Sequence, residues 1–200
     1  MFRKTKLALA VLAATALAAG SLSAQSFSEG YKFLEAVKKR DGATVDAALA
    51  SSVGRIVNTK HGDSGEAAVH IVTRDRDLRW LRSLLSKGAR ADAADKNGDT
   101  PLILATQLGW ADGVSALLES GAKIDGTNGR GETPLILAVH KRDVPMIRLL
   151  MDSGADPKRG DRIAGYSALD YAKRDDRSGA IVRLLESEQK PVKTVAGPPR

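Results

Sequence analysis

The 200-residue chain contains no cysteine. That excludes disulfides, thiolate metal sites and a lipid-modified N-terminal cysteine, so the fold rests on its core alone. Aromatic residues make up 4% of the chain, too few for the stacking clusters that single-stranded nucleic acid requires. There are three histidines, His61, His70 and His140, and no two share the spacing of metal ligands on one helix. No serine sits in a G-x-S-x-G elbow. The glycine-rich string from Gly126 to Gly131 has no strand before it and no Lys-Ser/Thr after it, so it reads as a hairpin tip and not a phosphate cradle. Asp75, Asp77, Asp175 and Asp176 stand beside arginines in short polar turns, the setting of solvated ion pairs. These absences predict a protein that is not an enzyme and that needs no cofactor and no metal.

Long apolar runs are also missing. The uncharged stretch from Leu7 to Gly20 falls short of the ~20 residues that span a bilayer as a helix. Arg3, Lys4 and Lys6 precede it, and Ser21, Ser23 and Ala24 follow. A charged start, a short apolar run and a small-residue zone read as a secretory signal over 1–24, cut within a few residues of Ala24. The competing reading is an uncleaved anchor; with cleavage, no stable membrane anchor remains. The alanine-rich run without paired arginines resembles a general secretory signal of a Gram-negative bacterium, which places the protein in the periplasm. Losing Arg3, Lys4 and Lys6 lowers the formal net charge from +7 to +4. So mild a basic excess on an exported chain argues against nucleic acid as a partner. The segment 186–200, with three prolines, Lys190, Lys193, Arg200 and no apolar period, reads as a disordered basic tail.

What the chain does have is a repeat. Thr100-Pro-Leu-Ile-Leu-Ala-Thr106 returns as Thr133-Pro-Leu-Ile-Leu-Ala-Val139, 33 residues on. Gly65, Gly98 and Gly131 keep the same step, with Gly165 34 residues later; Gly88, Gly121 and Gly154 form a second series. Leu84-Leu85, Leu117-Leu118, Leu150-Met151 and Leu184-Leu185 form a third. A period of this length means stacked supersecondary units, none able to bury its apolar face alone.

The residues of one period specify its shape. Thr100 is suited to cap a helix and Pro101 to begin it. Leu102, Ala105 and Thr106 recur at helical spacing, and Gly109 ends that helix. A second helix from near Ala111 places Val114, Leu117 and Leu118 on one face and stops at Gly121. The polar, glycine-rich residues up to Gly131 form an extended turn.

This pattern of Gly-x-Thr-Pro-Leu, then Ala, then Gly, then Val-x-x-Leu-Leu-x-x-Gly-Ala resembles the ankyrin repeat. The match is close over Gly98–Ala122 and Gly131–Ala155. It is looser over Gly65–Ala89, where Ala67-Ala68 costs the cap, and over Gly165–Leu185, where Ser167-Ala168 keeps it. Leu34, Val37, Val45, Ala48 and Leu49 give a half-match at the start. The resemblance implies an all-α ankyrin-repeat solenoid over 27–185. It comprises about five stacked helix-turn-helix units with projecting hairpin loops (27–61, 62–94, 95–127, 128–160 and 161–185), the terminal two degenerate caps.

Departures from the family pattern also carry expectations. Its usual histidine is His70, Ile103, Ile136 and Asp170 here. His70 should hydrogen-bond between neighbouring loops, whereas Ile103 and Ile136 must pack. Arg142 replaces a turn glycine, predicting a strained or different turn. The loop over 54–64 is three residues longer than the period allows, either a functional projection or an ordinary insertion.

In this family contacts come from the hairpin tips and from the exposed ends of the first helices, which line a concave groove. The resemblance therefore nominates Ser64, Glu66, Lys96, Asn97, Asp99, Arg130, Glu132 and Tyr166 at the tips. At the helix ends it nominates Arg74, Asp75, Gln107, Leu108, His140, Lys141, Arg174 and Asp175. Trp110, after the turn glycine, either joins them or packs against the next repeat. Leu108, Trp110 and Tyr166 are the unusual members, of types that dominate interface energies. Arg74, Lys96, Arg130, Lys141 and Arg174 suggest a partner with an acidic surface. The expected function is a non-catalytic, monomeric protein–protein interaction module of the periplasm. Two further readings are an accessory to peroxide defence and a neutralising protein for a co-encoded toxin or enzyme.

Overall fold

A computed structural model describes residues 29–51, 56–175 and 179–187. The expected signal segment and nearly all of the expected tail lie outside these residues. Among the described residues there are ten α-helices, one 3-10 turn and no strand beyond two isolated bridges. Helix α1 covers 29–38 and α2 Gly42–Ser51. The 3-10 turn Ile56–Asn58 leads to α3, Ala68–Arg74, and α4, Leu78–Ser86. Then come α5, Pro101–Gln107, α6, Ala111–Glu119, α7, Pro134–His140, and α8, Val144–Asp152. The last pair is α9, Ala168–Arg174, and α10, Gly179–Ser187, which runs two residues past the expected end of the repeats. Five helix pairs are present, as the period requires. No described helix is long and apolar enough to cross a membrane.

The caps follow from the local sequence. Thr100 and Thr133 accept the amide protons of Ile103 and Ile136, and a proline begins each helix. Ser167 does the same for Asp170, whose carboxylate accepts from the Ser167 amide in return. Ala67 has no cap to offer. There only the reciprocal bond is made: His70 Nδ1 accepts the Ala67 amide at 3.1 Å, while Nε2 donates to the Asp99 carbonyl of the next unit at 3.1 Å. The expectation for His70 is met. Ile103 and Ile136 are wholly buried, replacing that bond with packing.

First helices pack in series, α3 on α5 on α7 on α9, and second helices form an outer layer with α4 on α6 and α8 on α10. Leu84, Leu117 and Leu150 of the outer layer and Leu102 and Leu135 of the inner layer meet between them, with almost no exposure. Three devices join each unit to the next. In the hairpins, Lys96 N donates to Ser64 O, Gly129 N to Asn97 O, and Arg162 N to Arg130 O, at 2.9–3.1 Å. At the far side, Asn58, Asp92 and Asp125 accept the amides of Arg90, Lys123 and Asp156. Between the helices of a pair, Arg40, Arg76 and Arg142 hold φ of 53–59°, in the same region as Gly109 at 64°. Arg142 therefore makes the ordinary turn, strained and not rerouted. Each of these arginines reaches into the following unit: Arg40 to Asp75 and Asp77, Arg76 to the Leu108 carbonyl, Arg142 to Asp175.

The described part of the long first loop, 56–64, is fastened. Ile56 and Val57 are buried, Asn58 donates to Gly88 O, and Lys60 donates to Ala94 O. These contacts favour an ordinary insertion that packs; residues 52–55 lie outside the described residues.

His70 gives a prediction. Burial lowers its pKa, opposed by its bond to Asp99. Neutral in the fold and free to charge when unfolded, it makes stability fall as pH drops below its unfolded value of about 6.5. The melting temperature should decline between pH 7.5 and 5.5, and the decline should shrink in His70→Ile, which carries the residue of the two central units. Parallel slopes in the two proteins would refute the assignment.

Candidate protein-binding groove

The hairpin ends and first-helix ends form two parallel columns. Glu66, Asp99, Glu132 and Tyr166 make one, and Arg74, Gln107, His140 and Arg174 the other. Each member lies eight residues before its neighbour across the strip. The column positions exist because every hairpin is closed by a polar turn. Asp95 Oδ1 accepts the amides of Asn97 and Asp99, and Asn128 Oδ1 those of Arg130 and Glu132. Asp161 Oδ1 accepts three, from Ile163, Ala164 and Gly165. The terminal hairpins are one residue longer than the central two: His61 N bonds to Glu66 O and Asp161 N to Tyr166 O, against Asp95 to Asp99 and Asn128 to Glu132.

Chemistry changes along the strip. In the second unit Arg74 is paired with Glu66, which also accepts from Ser64 Oγ. In the third, the Asp99 carboxylate is half-buried and forms no ion pair among the described residues; burial raises its pKa, with Asp95 and Glu132 adding to the effect against Arg130. Gln107 is half-buried beside it in the second column, and Lys96 and Asn97 are exposed at the tip. In the fourth, Glu132 is buried and bonded to Arg130 and Asn128. Lys141 donates to the Gln107 carbonyl of the preceding unit. In the fifth, Tyr166 stands where the others carry an acid.

Besides buried Glu132, two apolar nominees are placed differently from an exposed contact. Trp110 is 8% exposed, and its ring lies over Gly113, where a Cβ would come within 2.0 Å of Cε3. It caps no hydrogen bond and packs on its own helix. Of the two readings left open for Trp110 the structure shows packing, with its seat on its own helix: the absent side chain at 113 is what makes room for the ring. Leu108 is half-buried against the core and offers mainly its carbonyl, to Arg76. Among the five cations read as an acidic-partner signal, Arg74 and Arg130 are neutralised within the chain. Lys96, Lys141 and Arg174 pair with no carboxylate among the described residues. Asp75 and Asp175 serve the turn arginines.

Sequence reasoning passed over Tyr171 and Asp161. Tyr171 is the fourth residue of α9, where α3, α5 and α7 have Ile71, Leu104 and Leu137; that break in an apolar series was the available signal. Its hydroxyl donates to Asp161 Oδ2 at 2.5 Å, which, with burial, pushes its pKa up to about 12 and holds the Asp161 carboxyl below its usual range. Its ring meets His140 edge-on at 4.4 Å and Tyr166 at 5.6 Å. Among the described residues no three acidic or histidine side chains gather as metal ligands would.

Two family models match the chain. One, described as ankyrin repeats in three copies, covers residues 33–128; the other, ankyrin repeats in many copies, covers 117–172. Together they take in well over half of the sequence and every described helix from α2 to α8, with α9 up to residue 172.

Proposed function

Because the chain belongs to the ankyrin repeat family, whose fold is a protein–protein interaction module, we propose that it binds a protein partner through the strip of hairpin tips and first-helix ends. One observation carries this reading: residue type varies along the strip while the scaffold beneath it repeats. Leu102, Leu135 and Leu169 stand in register, as do Ala105, Ala138 and Ala172, and all six are buried. The columns above them run Glu, Asp, Glu, Tyr and Arg, Gln, His, Arg. A scaffold that repeats for packing and varies along one strip can recognise a surface.

The module is non-catalytic in this reading. Tyr171, whose pKa is pushed up to about 12, donates its hydrogen bond to Asp161 and stays protonated near neutral pH. Residues 1–24 support export to the periplasm. The mature protein in a periplasmic fraction should then begin within a few residues of Ala24 by mass spectrometry; full-length protein in the cytoplasm would contradict it.

The groove is tested by a photo-crosslinking side chain placed at Gln107 or His140 and, as a control, at Arg148 or Arg183 on the outer helices. All but half-buried Gln107 are exposed. In cells, the first pair should give one adduct of constant mass and the second pair none. Adducts from the outer helices alone would move the binding face to the opposite side.

A further inference from the structure

The last unit departs from the others in a way that frees a positive charge. In the second unit Glu66 and Arg74 face each other across the strip and neutralise one another. The corresponding pair in the fifth unit is Tyr166 and Arg174. Arg174 Nη1 donates to the Tyr166 hydroxyl at 2.8 Å, and the guanidinium lies 4.5 Å from that ring's centre. A phenol and a ring face orient an arginine without cancelling its charge. Lys141, one unit away, spends its ammonium on a neutral carbonyl. Arg142 and Asp175 cancel each other at the same level.

Between these groups lies an open pocket lined by His140, Lys141, Arg142, Tyr171, Arg174 and Asp175. Its wall is held in place before anything binds. Tyr171 is anchored to buried Asp161, and His140 and Tyr166 stand edge-on to the Tyr171 ring. The result is an oriented aromatic wall flanked by two cations that no carboxylate pairs with among the described residues, whereas Arg74 and Arg130 further along the strip pair with Glu66 and Glu132.

We propose that this end of the groove is a docking subsite for one aspartate or glutamate side chain of the protein partner, with an apolar neighbour of that residue resting on His140 and Tyr171. The subsite rests on the interaction-module reading above. Charge complementarity selects a carboxylate: two cations match one acidic group, and pairing it with an oriented arginine is a strong form of charge-assisted bond. A polyanion is disfavoured because the strip continues into the half-buried carboxylate of Asp99, which forms no ion pair among the described residues. The aromatic wall supplies the apolar area that anchors tend to need.

The test uses the purified full-length mature chain. Peptides are selected from a displayed random library and their contacts mapped by chemical-shift changes in the labelled protein. The expected result is peptides with an acidic residue at one fixed position, shifting His140, Tyr166, Tyr171 and Arg174. Changing that residue to Gln should weaken binding about tenfold. Tyr166→Glu, which recreates the Glu66–Arg74 arrangement, and Arg174→Gln should each remove that preference while leaving the circular dichroism spectrum unchanged. Peptides that occupy the groove with no acidic preference, or a preference that survives in both variants, would overturn the subsite and leave the module reading standing. Failure to obtain any peptide that shifts groove residues would overturn both.

Discussion

Gly98→Ala is expected to lower the unfolding free energy by about 3 kcal/mol and to broaden the thermal transition. Gly98 sits in the left-handed region, at φ 80°, in the hairpin between the second and third units. A side chain there costs roughly 1–2 kcal/mol from conformation alone. Its position adds a second term. A Cβ at 98 would lie 2.5 Å from the backbone nitrogen of Gly129 in the next hairpin, and Gly129 donates to Asn97 O at 2.9 Å. Backbone, not a flexible side chain, would have to move, with loss of an inter-unit bond worth about 1 kcal/mol. Gly121→Ala is the control: φ is 84°, but nothing lies within 4 Å of its would-be Cβ. It should show the conformational cost alone. Since units in a stack are stabilised by their neighbours, a fault at the centre also weakens coupling between the two halves. Equal losses for the two variants in urea titrations would mean that hairpin contact does not hold the units together.

Gly113→Ala is expected to cost a further ~3 kcal/mol class of loss through a different mechanism, eviction of Trp110. The new methyl would overlap the indole, so the ring must leave its seat and its emission should shift to the red. Truncating a buried aromatic costs about 3–5 kcal/mol, and Trp110→Ala should approach the lower end because the ring keeps 8% of its exposure. The two changes share one cause, so the double variant should lose little more than Trp110→Ala alone, with a coupling of about 2 kcal/mol. Additive losses would separate the two residues. The sister units suggest a repair. Asp77 and Asp143 cap α4 and α8 by accepting from Trp80 and Met146. In α6 the bulk has moved from the position of Trp80 and Met146 to the cap itself, with glycine left behind. Trp110→Asp combined with Gly113→Met therefore restores the neighbours' arrangement and should recover most of the stability.

The framework was legible because its signals are local. Thr-Pro at a helix start, glycine at a positive φ and Leu-Leu in the outer helix each act within a few residues, and the period repeats them. Five helix pairs followed from that, and the role of His70 followed from the resemblance to the family. Trp110 was undecided because it was read from its place after the turn glycine, without comparing Gly113 with Trp80 and Met146 at the matching position. The commitments of the groove cations divide the same way. Arg130 lies two residues from Glu132 and was readable, whereas Lys141 reaches back 34 positions to a carbonyl. Contacts made by long side chains to another unit's backbone leave no pattern in the sequence. Tyr171 and Asp161 were missed because the apolar series Ile71, Leu104 and Leu137 was not followed into the last unit, where it breaks.

The unequal hairpins divide the stack into replaceable and irreplaceable parts. Both end hairpins carry the extra residue, while those opening the third and fourth units have the same length and the same Asx-closed turn. A copied segment spanning residues 100–132 begins and ends at equivalent points, so its hairpin meets a familiar neighbour on either side. The chain can thus lengthen or shorten in whole steps of 33 residues at its middle without rewriting either terminus. The recognition strip would then change in reach by one column pair at a time while the final, tyrosine-bearing unit stays at its edge.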